Sequence, residues 1–145
     1  MSWTNFDLVD VLSVSGEYGV FARTEIPEES VIGVFDGIAE VFEVSDSGQV
    51  EWRGHDGRMS IHLRLSGNRL YTIMPIPGRD ISGIDYINHS CSPNCRADAG
   101  VLVVETIRTI GKGEQLTMNY HDMDLIKLGH PCWCKDRPED ERCVL

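Results

Sequence analysis

The sequence predicts a mainly β domain. Three observations point there: short apolar or β-branched runs recur along the chain, turn-forming pairs separate them, and only one short segment has helical spacing. The runs at 31–35, 38–44, 70–74 and 101–107 each read as a strand bounded by Gly, Asp, Ser or Pro. Met59, Ile61, Leu63 and Leu65 alternate with Ser60, His62 and Arg64, a period-two pattern that predicts one face on the core. The run 115–120 follows the turn Gly111-Lys-Gly113, and further turns are expected at Asp36-Gly37, Ser47-Gly48, Asp56-Gly57, Ser66-Gly67 and Pro77-Gly78. A helix is expected only near 122–128, where Met123, Ile126 and Lys127 share a face.

A chain of 145 residues without repeat or linker fits one hydrophobic core, and 41% apolar residues suffice to build it. Thirteen Lys plus Arg against twenty-three Asp plus Glu give a net charge of −10. Such a field disfavours a phosphate backbone and attracts basic peptides, so direct nucleic-acid binding is not expected. Neither a leader peptide nor an apolar run of membrane-spanning length is present, which predicts no membrane partner and an intracellular protein. The expected site is nuclear in a eukaryote, and cytoplasmic or host-delivered in a bacterium or virus. Four of the five cysteines fall in two short clusters, a pattern that suits a metal in a reducing compartment better than one or two disulfides.

The most informative stretch is Asp85-Tyr-Ile-Asn-His-Ser-Cys-Ser-Pro-Asn-Cys95, a dense polar segment directly after apolar residues. Such a cluster beside a buried strand marks either a tight structural turn or a ligand site. It resembles the Asn-His-Ser-Cys-x-Pro-Asn motif of SET domains. Gly16-Glu-Tyr-Gly-Val-Phe-Ala22 resembles that family's N-terminal Gly-x-Gly turn, and Val34-Phe-Asp-Gly37 its Glu-Tyr-x-Gly strand. Gly113-Glu-Gln-Leu-Thr-Met-Asn-Tyr120 resembles the segment that ends on the catalytic tyrosine, and Cys132-Trp-Cys134 the post-SET zinc segment.

The resemblance implies a SET (β-clip-like) fold of several small sheets with a C-terminal pseudoknot and a zinc-bound tail, divided into a SET domain at 1–128 and a post-SET segment at 129–145. It implies methyl transfer from S-adenosylmethionine to a lysine of a protein or peptide, a histone tail being one candidate. Tyr120 would be catalytic. Glu17, Tyr18, Gly19, Asn88, His89 and Trp133 would contact the cofactor, and Phe35, Tyr86 and Met118 would line the lysine channel. Cys91, Cys132, Cys134 and Cys143 would hold Zn2+, leaving Cys95 as a small buried apolar residue.

Four positions depart from the family pattern: Glu17 replaces a glycine, Phe35 a tyrosine, Met118 an aromatic residue and Asp85 an arginine. Fewer hydroxyls in the channel point either to higher methylation states or to reduced turnover. Two other classes stay open: a catalytically weak module that binds basic partners, and a zinc-binding structural protein.

Overall fold

The computed structural model describes residues 2–98 and 100–125, apart from the side chain of Arg58. It is mainly β. Strands β1 (Trp3–Thr4), β2 (Val9–Val14), β3 (Glu17–Ala22) and β4 (Val31–Val34) come first. β5 (Ile38–Glu43), β6 (Ile61–Ser66), β7 (Arg69–Met74) and β8 (Asn88–His89) follow, then β9 (Cys95–Asp98), β10 (Val103–Thr106) and β11 (Gln115–Met118). One sheet runs β1-β4-β10-β9-β11-β3-β2, with β8 pairing onto β11, and a second runs β5-β7-β6. Among the described residues no helix is long and apolar enough to cross a membrane.

Most of the segment 16–22, expected as a turn, is strand β3 (Glu17–Ala22), paired along its whole length with β2. The turn is Ser15-Gly16, with φ of 54° and 84°. Positive φ at both central residues gives a two-residue hairpin loop whose twist matches that of its strands, and glycine enters it without strain.

Alternation at 59–65 fails as a core pattern. Ile61 and His62 are both buried, whereas Met59, Leu63 and Leu65 are exposed. The cause is a bulge: His62 pairs with Thr72 but Arg64 pairs with Tyr71, so Leu63 has no opposite residue and the period-two rule breaks. Met59 lies before the strand, in a 3₁₀ turn at Gly57–Met59.

The predicted helix near 122–128 begins, within the described residues, as one 3₁₀ turn, Tyr120–Asp122. An α-helix would direct the Leu125 N–H to the His121 carbonyl. That N–H instead bonds the ring of His62 at 2.9 Å, so the helical ladder stops.

The core gathers residues remote in sequence: Val9, Val20, Ile26, Ile32, Ile84, Ile87, Val104, Ile110 and Leu116 are all essentially inaccessible. Placing β11 between β9 and β3 makes this possible, because it joins the β2–β3 hairpin to β9 in one sheet. β1 is tied to the 3₁₀ turn Gly83–Tyr86, where Thr4 Oγ1 accepts the Ile84 N–H at 2.9 Å. A Cβ at Gly83 would fall 2.0 Å from that oxygen, and its φ of 56° is left-handed, so both space and backbone require glycine.

Candidate active site

The motif 88–95 forms two short strands and the bend between them. β8 runs parallel to β11, with Asn88 opposite Thr117 and His89 opposite Met118. Asn94, 3% exposed, holds this arrangement together: its Nδ2 donates to the Gln115 carbonyl at 2.8 Å, and its Oδ1 accepts the Thr117 N–H at 2.8 Å. The Asn94 side chain therefore stands in for ladder bonds between β9 and β11.

From β8, Asn88 reaches across to the N-terminal hairpin, where its Nδ2 donates to the Tyr18 carbonyl at 2.9 Å. Gly19 follows at the tightest point. A Cβ there would lie 2.6 Å from Gln115 Nε2 and 3.3 Å from Asn88 Nδ2. The Tyr18 ring, mostly exposed, lies 5.1 Å from that of Tyr86. Tyr18, Gly19, Tyr86 and Asn88 are thus brought together, with Glu17 at the exposed start of β3.

His89 is buried. Its Nδ1 accepts the backbone N–H of Tyr120 at 3.1 Å, and its Nε2 lies 3.5 Å from Cys91 Sγ. An accepting Nδ1 leaves the proton on Nε2, which identifies a neutral ring. His89 thereby positions Tyr120, whose ring centre is 5.3 Å away.

Tyr120 donates its hydroxyl proton to the Ile87 carbonyl at 2.8 Å. Burial, reinforced by the charge of Asp124, pushes the phenol up to about 12 against a weaker opposing backbone bond from His89. The hydroxyl is therefore neutral across the physiological range.

Tyr120 forms one wall of a cleft of about 350 Å³. Phe35, Ile61, Ile73, Ile87, Met118 and Met123 supply apolar walls, and Asp36, Asp56, Asp80, Asp85, Asp124 and Arg79 supply its charged groups. Arg79 pairs with Asp36 at 2.5 Å, and Asp85 accepts the Ser82 N–H at 3.0 Å. Phe35, Met118 and Tyr120 thus share one cavity, whereas Tyr86 is not part of its lining.

Cys91 is partly exposed and Cys95 is fully buried. Burial pushes the Cys95 thiol up to about 12, so it is held as a neutral apolar group. Cys132, Trp133, Cys134 and Cys143 lie outside the described residues. Among the described residues no three His, Cys, Asp or Glu side chains converge as a metal site.

Sequence reading missed Asp124, Met123, Ser60, Ile61 and Arg79 as cleft residues. They come from turns and strand ends that carry no recognisable motif, and only the tertiary fold collects them around one cleft. Asn94 was visible inside the motif, but its role as a clamp was not.

The family model described as SET domain matches residues 17–121. No curated protein matches the chain. SET domains are in general protein lysine methyltransferases that use S-adenosylmethionine. The match begins at β3 and ends on the 3₁₀ turn that carries Tyr120, and so takes in both the Asn88–Gly19 contact and the cleft: the chain belongs to the SET-domain family.

Proposed function

We propose that the protein transfers a methyl group from S-adenosylmethionine to the side-chain amine of a protein lysine. The observation that carries this reading is that Tyr120, Phe35 and Met118 line one apolar cleft while β8, next to it, holds Asn88 against the Tyr18–Gly19 backbone. The residues present fit the polar groups of the cofactor: the Asn88 amide and the Tyr18 backbone meet beside Gly19, where a side chain would collide with Gln115 and Asn88. Tyr18, Gly19 and Asn88 would hold it, with Glu17 and His89 beside them and Trp133 added from the tail.

When bound, S-adenosylmethionine supplies an electrophilic methyl group on a sulfonium centre. The protein's task is alignment, for which positioning of reactants contributes up to roughly 7–11 kcal/mol. The apolar walls strip water from the lysine side chain and favour its neutral form, against the value of about 10.4 that a lysine has in water. Tyr120 keeps its proton on Oη, and its hydroxyl oxygen orients the amine without acting as a base. Phe35, Met118 and Tyr86 are assigned to the lysine channel and its surroundings.

The proposal includes a SET domain at 1–128 and a post-SET segment at 129–145. Cys91 is the member of the zinc set within the described residues, partly exposed and with its sulfur beside His89. Four thiolates from Cys91, Cys132, Cys134 and Cys143 match the tetrahedral sulfur set of structural zinc. The partner is a lysine-bearing protein, and the net charge of −10 favours a basic one such as a histone tail.

The test incubates the protein with methyl-labelled S-adenosylmethionine and a panel of histones and other basic proteins, alongside Tyr120→Phe. Label on lysine that is lost in the variant is expected. A wild-type protein that binds the cofactor but labels nothing would instead indicate a binding module.

A further inference from the structure

β6 and the segment after Tyr120 are fastened together at two points. The His62 N–H donates to the Met123 carbonyl at 2.7 Å, and His62 Nδ1 accepts the Leu125 N–H at 2.9 Å. These bonds straddle Asp124. The ring is also fixed on its far side: Nε2, which carries the proton, donates to Ser60 Oγ at 2.8 Å, and that hydroxyl donates to the Gly57 carbonyl at 2.6 Å. Trp52 stacks on the imidazole with centres 6.0 Å apart.

Held this way, Asp124 lines the cleft beside Phe35, Met118 and Tyr120. Its charge reaches the Tyr120 phenol. Among the described residues its carboxylate has no hydrogen-bond or ion-pair partner, in contrast to Asp36 with Arg79 and Asp85 with the Ser82 N–H. Asp56 and Asp80, also on the cleft, are exposed to water. A half-buried carboxylate without a partner is unfavourable, and a cation entering the cleft removes that cost.

We infer that Asp124 is the specificity-determining carboxylate that receives the ammonium form of a lysine side chain as it enters the cleft, before the amine releases its proton to water for the transfer step, and that His62 is the positioning residue that holds it there. The inference rests on the methyltransferase reading above. It assigns the ligand as a primary alkylammonium, a cation whose four-carbon stem packs on the apolar walls while its charge meets Asp124.

The experiment follows methionine methyl NMR signals while n-butylammonium chloride, or n-pentanol as a neutral chain, is titrated into the full-length protein at about pH 8. Wild-type protein is expected to prefer the ammonium, and Asp124→Asn to bind it about tenfold more weakly with pentanol unchanged. Asp80→Asn, another carboxylate on the same cleft, should change it less than about twofold. His62→Ala should weaken ammonium binding, and His62→Asn, whose amide oxygen replaces Nδ1 as acceptor, should restore part of it. A wild-type protein without ammonium preference, or an Asp124→Asn variant that keeps the preference, overturns the inference. So does an equal loss in Asp80→Asn, which would reveal only the general acidic field. Labelled methyl transfer by the wild type, measured in parallel, separates the two readings: transfer with an unchanged Asp124→Asn preference removes this inference alone. A lost preference with no transfer on any panel member upholds the ammonium site and removes the methyltransferase reading.

Discussion

Asn94→Ala tests whether the motif segment works as a clamp. The wild-type amide makes two 2.8 Å bonds to the backbone of β11, at Gln115 and Thr117, from a side chain only 3% exposed. Truncation leaves a part-buried carbonyl and a part-buried N–H without these partners. At about 1–3 kcal/mol for each group left unsatisfied, the expected destabilisation is about 2–6 kcal/mol. That is a large share of the roughly 5–15 kcal/mol that holds a domain together, and it lowers the melting temperature by on the order of 10 °C. Urea unfolding followed by circular dichroism measures it, with an unchanged m-value expected because the exposed surface is the same. β11 leads directly to Tyr120, so methyl transfer should fall further than the loss of folded protein accounts for. A change below about 1 kcal/mol at constant m would refute the clamp, because it would mean water or a shifted backbone satisfies both groups without cost.

Gly19→Ala places a methyl group 2.6 Å from Gln115 Nε2, the end of a flexible side chain, so the fold survives while cofactor affinity falls by about tenfold or more in a calorimetric titration. An unchanged affinity would remove Gly19 from the cofactor site. Stability against pH carries two opposing contributions. Burial raises Asp124 to about 7, so the folded state keeps a proton the unfolded chain has lost, and stability falls as pH rises from about 4 to 7. Burial lowers His62 to about 4, so the unfolded chain holds the extra proton, and stability rises with pH from about 4 to 6.5. The two offset each other in the wild type, with Tyr120, Arg79 and the other cleft carboxylates common to all variants. Urea midpoints across this window should therefore climb with pH in Asp124→Asn and decline with pH in His62→Asn, and identical slopes in the two variants would contradict both assignments. For the zinc proposal, Cys95 should resist a thiol reagent until the protein unfolds, whereas Cys91 becomes reactive once a chelator removes the metal. Equal reactivity of Cys91 before and after chelation would count against its role as a ligand.

The strands at 31–34, 38–43, 69–74, 103–106 and 115–118 were legible because each is a short apolar run between turn formers. β2 and β3 were not recognised as a hairpin. Ser15-Gly16 is a weaker turn signal than Asn-Gly, and Glu17-Tyr-Gly reads as a loop until its pairing partner is known. Alternation at 59–65 misled because a bulge changes the phase within the strand, and nothing local to Leu63 announces it. Of the site, the motif residues Asn88, His89 and Asn94 and the segment ending at Tyr120 stood out in the sequence. Asp124 did not, since one aspartate among twenty-three acidic residues carries no signal of its own.

By itself, then, the sequence determined the β class, the acidic surface and the order of motifs along the chain, all of which are local or additive properties. Only the tertiary structure decided that β11 lies between β9 and β3, that Asn88 meets Tyr18, and that His62 holds the segment around Asp124. Those contacts join residues as remote in sequence as Val20 and Leu116. Their existence depends on chain closure and core packing, which no window of sequence contains.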